Sequence, residues 1–283
     1  NTRTMEILRS AGLNTEEFYA LNKHGDAQFI SWVNGPRDHA LGKYALMGDL
    51  EDPEDLQRFM HRAAASPEHI TNISQNLFED ALLGQATRRN HQDIRFGHSW
   101  QGFVDGDTRR VRVLQPDGSA YEVNAAYVLA ADGASSNIVR TLGITRSGPP
   151  SIATFLNMSC EIDLSQIAGE QQSILYWCLN PSAPGTLIVH DPKALTVYMR
   201  PLYEPYETAE EYTDARCDAL VKEMFGPDIP FRITYKGVWR MSAQVADRFC
   251  VDNVFLVGDA AHRFPPTGGL GLNSGVGDVH NLV

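Results

Sequence analysis

Hydrophobic and polar positions recur along this chain with two different periods, and the changes of period mark its elements. Met5, Leu8 and Ala11 fall at three-residue spacing before Gly12, which predicts a short amphipathic helix with a glycine stop. Asn14, with Glu17 three residues on, predicts the N-cap of a second helix. Residues 29–52 show no clean period beyond a Gly35-Pro36 turn, and helical spacing returns over 53–65. Ser74 is a candidate cap for a further helix whose apolar face is Leu77, Phe78, Ala81, Leu82 and Ala86. Gln75 and Glu79 are neighbours at i, i+4 on another side.

Over 109–123 the period falls to two. Val111 and Val113 alternate with Arg110 and Arg112, Pro116-Asp117-Gly118 makes a turn, and Tyr121 and Val123 alternate again, so a hairpin or meander is predicted. Residues 127–131 and 254–257 are continuously apolar instead, the pattern of strands buried on both faces of an α/β sheet. Each run ends in an acid and a glycine, Asp132-Gly133 and Gly258-Asp259, and in open α/β sheets ligands sit beyond the carboxyl ends of the strands. Between them, 151–240 alternates β-rich stretches with one helix expected near 207–225, its acidic start at Glu207 to Glu211 favoured by the helix dipole. This reads as a second, strand-based layer inserted into the first domain.

At 283 residues, 43% hydrophobic and 21% charged, the chain has the make-up of one or two globular domains. Lys+Arg 24 against Asp+Glu 35 leaves a formal charge of −11, which argues against nucleic acid as the main partner and disfavours an anionic membrane surface. No apolar run approaches the roughly 18–20 residues of a membrane span, so a soluble, cytoplasmic protein without a membrane partner is expected. Cys160, Cys178, Cys217 and Cys250 lie far apart with no C-x-x-C pair, so four buried reduced thiols and no metal site are expected.

The most informative stretch is 258–282, with glycines at 258, 268, 269, 271, 275 and 277 and prolines at 265 and 266. Glycine is needed where φ is positive or where backbone must approach a ligand closely, and paired prolines fix the chain before that approach. A turn that merely rounds a corner would need one glycine. A helix beginning near Asn273 or Ser274 would aim its first free N–H groups at whatever lies over the glycine turn. Asp259, at a strand end, is placed to accept hydrogen bonds from hydroxyls of a sugar-like chain. No Gly-Lys-Ser/Thr occurs, and Gly269-x-Gly271 follows prolines instead of a strand, so neither a Walker loop nor the dinucleotide fingerprint is present. A large flat ligand with a polyol tail fits better than a bare triphosphate.

This stretch resembles the second flavin-contacting motif of the FAD-dependent aromatic hydroxylases, the single-component flavoprotein monooxygenases of the p-hydroxybenzoate hydroxylase and phenol hydroxylase group. The matching positions are Gly258-Asp259-Ala260-Ala261-His262, Pro265-Pro266, Gly268-Gly269, Gly271, Asn273, Gly275, Asp278 and Asn281-Leu282. Asp132-Gly133-Ala134-Ser135-Ser136 resembles the family's Asp-Gly motif, which lies near the cofactor pyrophosphate and is associated with NAD(P)H. Gln75, with Glu79 and Leu82, resembles the helix whose glutamine touches FAD. The opening Asn1-Thr2-Arg3-Thr4-Met5-Glu6-Ile7-Leu8 resembles the segment whose arginine, here Arg3, approaches the FAD ribose and phosphate. One departure is that the arginine of the Asp-Gly motif comes a place late, in Ile138-Val139-Arg140.

The resemblance implies an α/β fold in which an FAD-binding Rossmann-like domain (1–28, 66–150 and 246–283) is interleaved with a mixed β-sheet substrate domain (29–65 and 151–245). It implies FAD as cofactor, NADH or NADPH as reductant, and O2 with a small phenolic or other aromatic substrate, hydroxylated through a flavin C4a-hydroperoxide. The cofactor-binding residues it implies are Arg3, Gln75, Asp132, Gly258, Asp259, Pro266, Gly268, Gly269, Leu270, Gly271, Leu272 and Asn273. The backbone over 265–271 is expected against the isoalloxazine, Asp259 on the ribityl chain, and the Leu272 and Asn273 amides at the pyrimidine edge. The family's first strand and G-x-G-x-x-G turn are missing, the chain opens on Asn1 instead of Met, and it stops in a helical pattern at Asn281-Leu282-Val283. An internal fragment or truncated product of a longer flavoenzyme is therefore expected.

No catalytic residue is assigned. His190, Asp191, Tyr198 and Arg200 sit on strands expected to line the substrate cavity, but a structural role weighs more for each. His262 is expected to be a structural hydrogen-bonder, and Trp100, Trp177 and Trp239 core or cavity-wall aromatics. Two other readings stay open: a related flavoprotein such as a halogenase or lipid reductase, and a non-catalytic remnant. The first would need a lysine or acid specific to those chemistries; the second would not be expected to keep the glycine pattern around Asp259. A homodimer is one assembly to test.

Overall fold

The computed structural model describes residues 1–24, 29–89, 92–167 and 172–283. The chain divides into two compact units, Asn1–Leu82 with Ala153–Arg240, and Leu83–Ile152 with Met241–Val283. The expected boundary at residue 28 lies outside the described residues.

The first unit is built on seven strands: β1 (Phe29–Val33), β2 (Gly42–Ala45), β8 (Ala153–Ile162), β9 (Leu175–Cys178), β10 (Gly185–Asp191), β11 (Leu195–Leu202) and β12 (Phe231–Met241). Their order is β12-β8-β11-β10-β9-β1-β2, and the sheet is mixed, because β1 and β9 run parallel while β10 pairs with both its neighbours antiparallel. Strand β8 alternates strictly: Leu156, Met158, Cys160 and Ile162 point into a core shared with Leu187, Tyr198 and, from helix α6 (Asp214–Phe225), Val221, Met224 and Phe225. Each such side chain contributes roughly 1.5–3 kcal/mol when fully buried. In β1 the pattern is inverted. Ser31 is buried and shares a 2.7 Å hydroxyl hydrogen bond with Ser173, while Trp32 is 37% exposed, so residues 29–33 carry a strand that hydropathy alone does not announce.

The expected helix over 207–225 begins only at Asp214, behind the N-cap Thr213. Glu207 turns back onto β11 instead. Its carboxylate takes two 2.9 Å hydrogen bonds from the Arg200 guanidinium and one of 3.1 Å from the Tyr203 amide. Arg200 is buried and lies 4.9 Å over the Tyr212 ring. A desolvated, bidentate charge pair outweighs the few tenths of a kcal/mol that a helix dipole offers an exposed acid. The Arg200 guanidinium holds the Glu207 carboxyl at about 2, and burial pushes the Tyr212 hydroxyl up to about 12. Tyr198 is fully buried, its hydroxyl donating to the Pro184 carbonyl at 3.1 Å.

Helices α1 (Thr2–Ser10), α2 (Thr15–Tyr19), α3 (Pro53–Ala64) and the start of α4 (Gln75–Arg89) complete this unit. Asn14 caps α2 as read from the sequence, accepting from Glu16 N; the Asn1 side chain likewise accepts from Thr4 N, and Asp52 from Glu54 and Asp55 N, two caps not read from the sequence. Met5, Leu8, Phe18 and Phe78 form a separate small core.

In the second unit β3 (Ser99–Val104), β4 (Asp107–Leu114) and β5 (Ala120–Asn124) make the predicted meander, in which Arg110 and Arg112 flank Glu122 at 2.9 and 3.4 Å. A second sheet holds β6 (Val128–Ala130), β14 (Cys250–Val251) and β15 (Val254–Leu256) in the order β14-β15-β6. Helix α5 (Asn137–Thr141) packs on one face of it through Ile138 and Val139. Strand β6 is therefore an edge covered on one face, and Tyr127 and Leu129 are 70% and 46% exposed instead of buried on both sides as expected. The Asn253 side chain joins the two sheets, bonding the Thr108 hydroxyl and the Thr108 and Ala126 carbonyls. Strands β7 (Arg146–Ser147), β13 (Gln244–Ala246) and β16 (His262–Arg263) form a third sheet, and α7 (Leu270–Leu282) closes the unit.

Cys160, Cys178 and Cys217 are buried, with the first two thiols pushed up to about 12 by burial, whereas Cys250 is exposed, contrary to expectation. Among the described residues no helix is long and apolar enough to cross a membrane.

The Glu207 carboxyl lies below its ordinary 4.5, so its contribution to stability is complete above that pH and is lost as pH falls towards about 2. With partial solvent screening, the contribution is about 2 kcal/mol. Urea unfolding at pH 6 and pH 3 should show that Glu207→Gln is less stable than the parent at pH 6 and that the gap narrows at pH 3. An unchanged gap would refute the pairing.

Candidate functional site

The two acidic corners read from the sequence are neighbours in the second unit. Strands β6 and β15 run parallel, with Val254, Phe255 and Leu256 opposite Val128, Leu129 and Ala130, and the Val257 amide donates to the Ala130 carbonyl at 3.1 Å. Asp132 and Gly258-Asp259 follow at the carboxyl ends of this pair. The Asp132 side chain accepts from Ile138 N at 3.2 Å and Ser136 accepts from Val139 N at 3.0 Å, so the start of α5 fixes the Asp-Gly turn. Asp259 is exposed on a single 3-10 turn, Gly258–Ala260, closed by a 2.8 Å bond from Ala261 N to the Gly258 carbonyl.

One carboxylate draws three segments together. Asp278, in the body of α7, accepts from Gly258 N at 2.8 Å and lies 2.7 Å from His262 Nε2. His262 is thus a structural hydrogen-bonder whose partner lies sixteen residues away in sequence.

The start of α7 differs from the reading. The helix begins at Leu270, because Gly269 adopts φ 63°, ψ 37° as a left-handed N-cap that needs no side chain, after a turn in which its amide donates to the Pro266 carbonyl at 2.9 Å. Asn273 therefore lies inside the first turn, where its side chain donates to the Gly269 carbonyl at 2.6 Å. The amides of Leu270, Gly271 and Leu272 occupy the helix start, where N–H groups have no intrahelical acceptor.

The backbone at these corners is bare. A Cβ built on Gly133, Gly258, Gly269 or Gly271 would meet no atom within 4 Å, whereas one on Gly185 in the first unit would lie 2.5 Å from the Met199 carbonyl oxygen. Gly185 is a packing glycine; the other four leave room for something flat to approach the main chain. Open backbone, helix-start donors and one exposed carboxylate suit a planar ring system with a hydroxylated tail, so the residues fit a flavin nucleotide.

Arg3 and Gln75 belong to the first unit. Arg3 is exposed and bonds Glu6 at 3.2 Å, and Gln75 Nε2 donates to Glu79 at 2.7 Å, as the i, i+4 spacing predicts. Their helices share the Met5, Leu8 and Phe78 cluster. Tyr198 and Arg200 face the α6 core, consistent with the structural role given them. Arg140 turns to the Asn137 side chain, and the guanidiniums on the Asp-Gly turn come from Arg146 and Arg263, which both donate to the Ala134 carbonyl. Nothing local in the sequence marks either, since sheet pairing brings them in. Cavities of about 680 Å³ along α6 and β12 and about 1020 Å³ beside β4 and Tyr127 contain none of the residues read as cofactor-binding.

The FAD binding domain family matches residues 1–283. Aklavinone 12-hydroxylase from Streptomyces peucetius is 33% identical over 100% of this chain and 58% of its own length, and 2,4-dichlorophenol 6-monooxygenase from Delftia acidovorans is 29% identical over 100% and 48%. Among solved structures, aklavinone-11 hydroxylase in a ternary complex with FAD and aklavinone is similar with a TM-score of 0.85 at 28% identity, covering 100% of this chain and 53% of that one. The chain spans about half the length of the curated relatives it matches.

Removing the Asp278 carboxylate leaves the Gly258 amide and the His262 ring without their acceptor. Asp278→Ala should cost about 1–3 kcal/mol in urea unfolding and speed hydrogen exchange at the Gly258 amide. Unchanged exchange there would show that α7 does not hold the corner.

Proposed function

The chain belongs to the FAD binding domain family, and on that premise we propose that it serves an FAD- and NAD(P)H-dependent monooxygenase that hydroxylates a phenolic or other aromatic ring. The observation that carries this reading is the bare backbone around Gly258, Gly269 and Gly271, set beside the Asp132 corner on adjoining parallel strand ends.

In this reading Asp259 accepts hydrogen bonds from the ribityl hydroxyls. Pro266, Gly268, Gly269, Leu270 and Gly271 present main chain to the ring, and Leu272 and Asn273 offer amides to its polar edge. Arg3 approaches the ribose and phosphate, Gln75 touches the cofactor, and Asp132 lies towards the pyrophosphate. Segments 1–28, 66–150 and 246–283 form the flavin side, and 29–65 with 151–245 the substrate side. Bound FAD supplies the redox chemistry, taking reducing equivalents from NADH or NADPH and activating O2. The chain's own residues hold the ring, exclude water from it and position the aromatic substrate. One relative is named as a hydroxylase and another as a monooxygenase of 2,4-dichlorophenol, itself a phenol, which supports a phenolic substrate here. A cytoplasmic protein, with a homodimer as the assembly to test, completes the proposal.

The longest natural form containing this chain should purify with, or take up, a flavin that shows the cofactor's visible absorption, and phenols should stimulate its NAD(P)H oxidation. Asp259→Ala should weaken FAD affinity about tenfold or more, the loss of a charge-assisted hydrogen bond of about 1.5–3 kcal/mol. Absence of flavin binding at saturating FAD would end this reading.

A further inference from the structure

Arg146 and Arg263 are brought together by the third sheet of the second unit. Strand β13 lies between β7 and β16, with Ala246 opposite Arg146 and Gln244 opposite Arg263. Residues 244 and 246 are two apart on one strand, so both arginines project from the same face. From there Arg146 Nη1 donates to the Ala134 carbonyl at 3.3 Å and Nη2 to the Ala260 carbonyl at 3.1 Å. Arg263 Nη2 donates to the same Ala134 carbonyl, and Nη1 to Gln244 Oε1 at 3.0 Å. The Nε of each is buried without a hydrogen-bond partner, and among the described residues no carboxylate is within ion-pair distance of either. Burial and the neighbouring Arg263 lower the Arg146 pKa, and the Asp132 carboxylate partly offsets them.

Two like charges sharing one carbonyl are an unfavourable way merely to close a sheet, since a neutral donor would meet the same oxygen without repulsion. What a guanidinium adds is a rigid fork, and Arg146 uses it to span the Asp132-Gly133 turn, through Ala134, and the Gly258–Ala260 turn, through Ala260. We propose that Arg146, backed by Arg263, is a positioning residue that sets the separation of the two acidic corners and through it the seat of the flavin. The inference rests on the FAD reading above. A lysine at 146 keeps the charge but presents a single ammonium in place of the planar fork, so the separation is no longer fixed.

The test compares the parent, Arg146→Lys, Arg263→Lys and, as a control on the meander, Arg112→Lys, each in the longest natural form. FAD is titrated by quenching of its fluorescence, and the visible circular dichroism of the bound flavin is recorded. Arg146→Lys should lower FAD affinity about tenfold and alter the flavin dichroism at saturation, a change that loss of global stability does not produce. Arg263→Lys, which leaves both Arg146 bonds in place, should lower affinity only a few-fold, and Arg112→Lys should match the parent. If Arg146→Lys does not fold, Arg146→Gln, which also lacks the fork that reaches both the Ala134 and Ala260 carbonyls, takes its place: the same dichroism change at saturating FAD carries the proposal, and its absence overturns it. A parent that binds no FAD overturns the FAD reading and this inference with it. A parent that binds FAD while Arg146→Lys binds within twofold, with unchanged dichroism, overturns this inference alone.

Discussion

Parallel strands end on the same edge of a sheet, and the pairing of β6 with β15 is the constraint on which the candidate site depends. Residues more than a hundred positions apart, Asp132 and Asp259, follow the last residues of these two strands. Three other parts of the second unit support that edge. Helix α5 holds the first corner through Asp132 and Ser136, α7 holds the second through Asp278, and Asn253 ties the meander to the strand pair. Breaking the pair would separate the corners without altering any single residue in them.

The first unit works differently. Its mixed sheet is stabilised by one strongly apolar layer against α6, and its charged groups are drawn inward only where they are matched. Arg200 is tolerated in that core because Glu207 and the Tyr212 ring surround it, and Glu68 because Arg9, Thr15 and Tyr19 all bond to its carboxylate. These networks engage Arg200, Glu207 and Glu68 in structural pairings.

Several local features were legible because local forces decide them. Asn14 caps a helix, Gln75 meets Glu79, and Pro116-Asp117-Gly118 turns the meander, each interaction spanning four residues or fewer. The misreadings occur where distant groups compete. Glu207 forgoes a helix start for Arg200, Ser31 goes inside because Ser173 meets it, and α7 begins at Leu270 because Gly269 can take a left-handed conformation that carries no side-chain signal.

The sequence by itself determined the membership of the chain in a flavin-binding family, the glycines and acids of the two corners, and the locally capped helices and the meander, because spacing and residue type are properties of the chain. Tertiary structure alone decided that the corners share an edge, that Asp278 reaches back to Gly258 and His262, and that Arg146 and Arg263, not Arg140, grip the Asp-Gly turn. The physical reason is the same in each case: a hydrogen bond between residues twelve to over a hundred positions apart depends on where sheets and helices bring the backbone, and no local period encodes that.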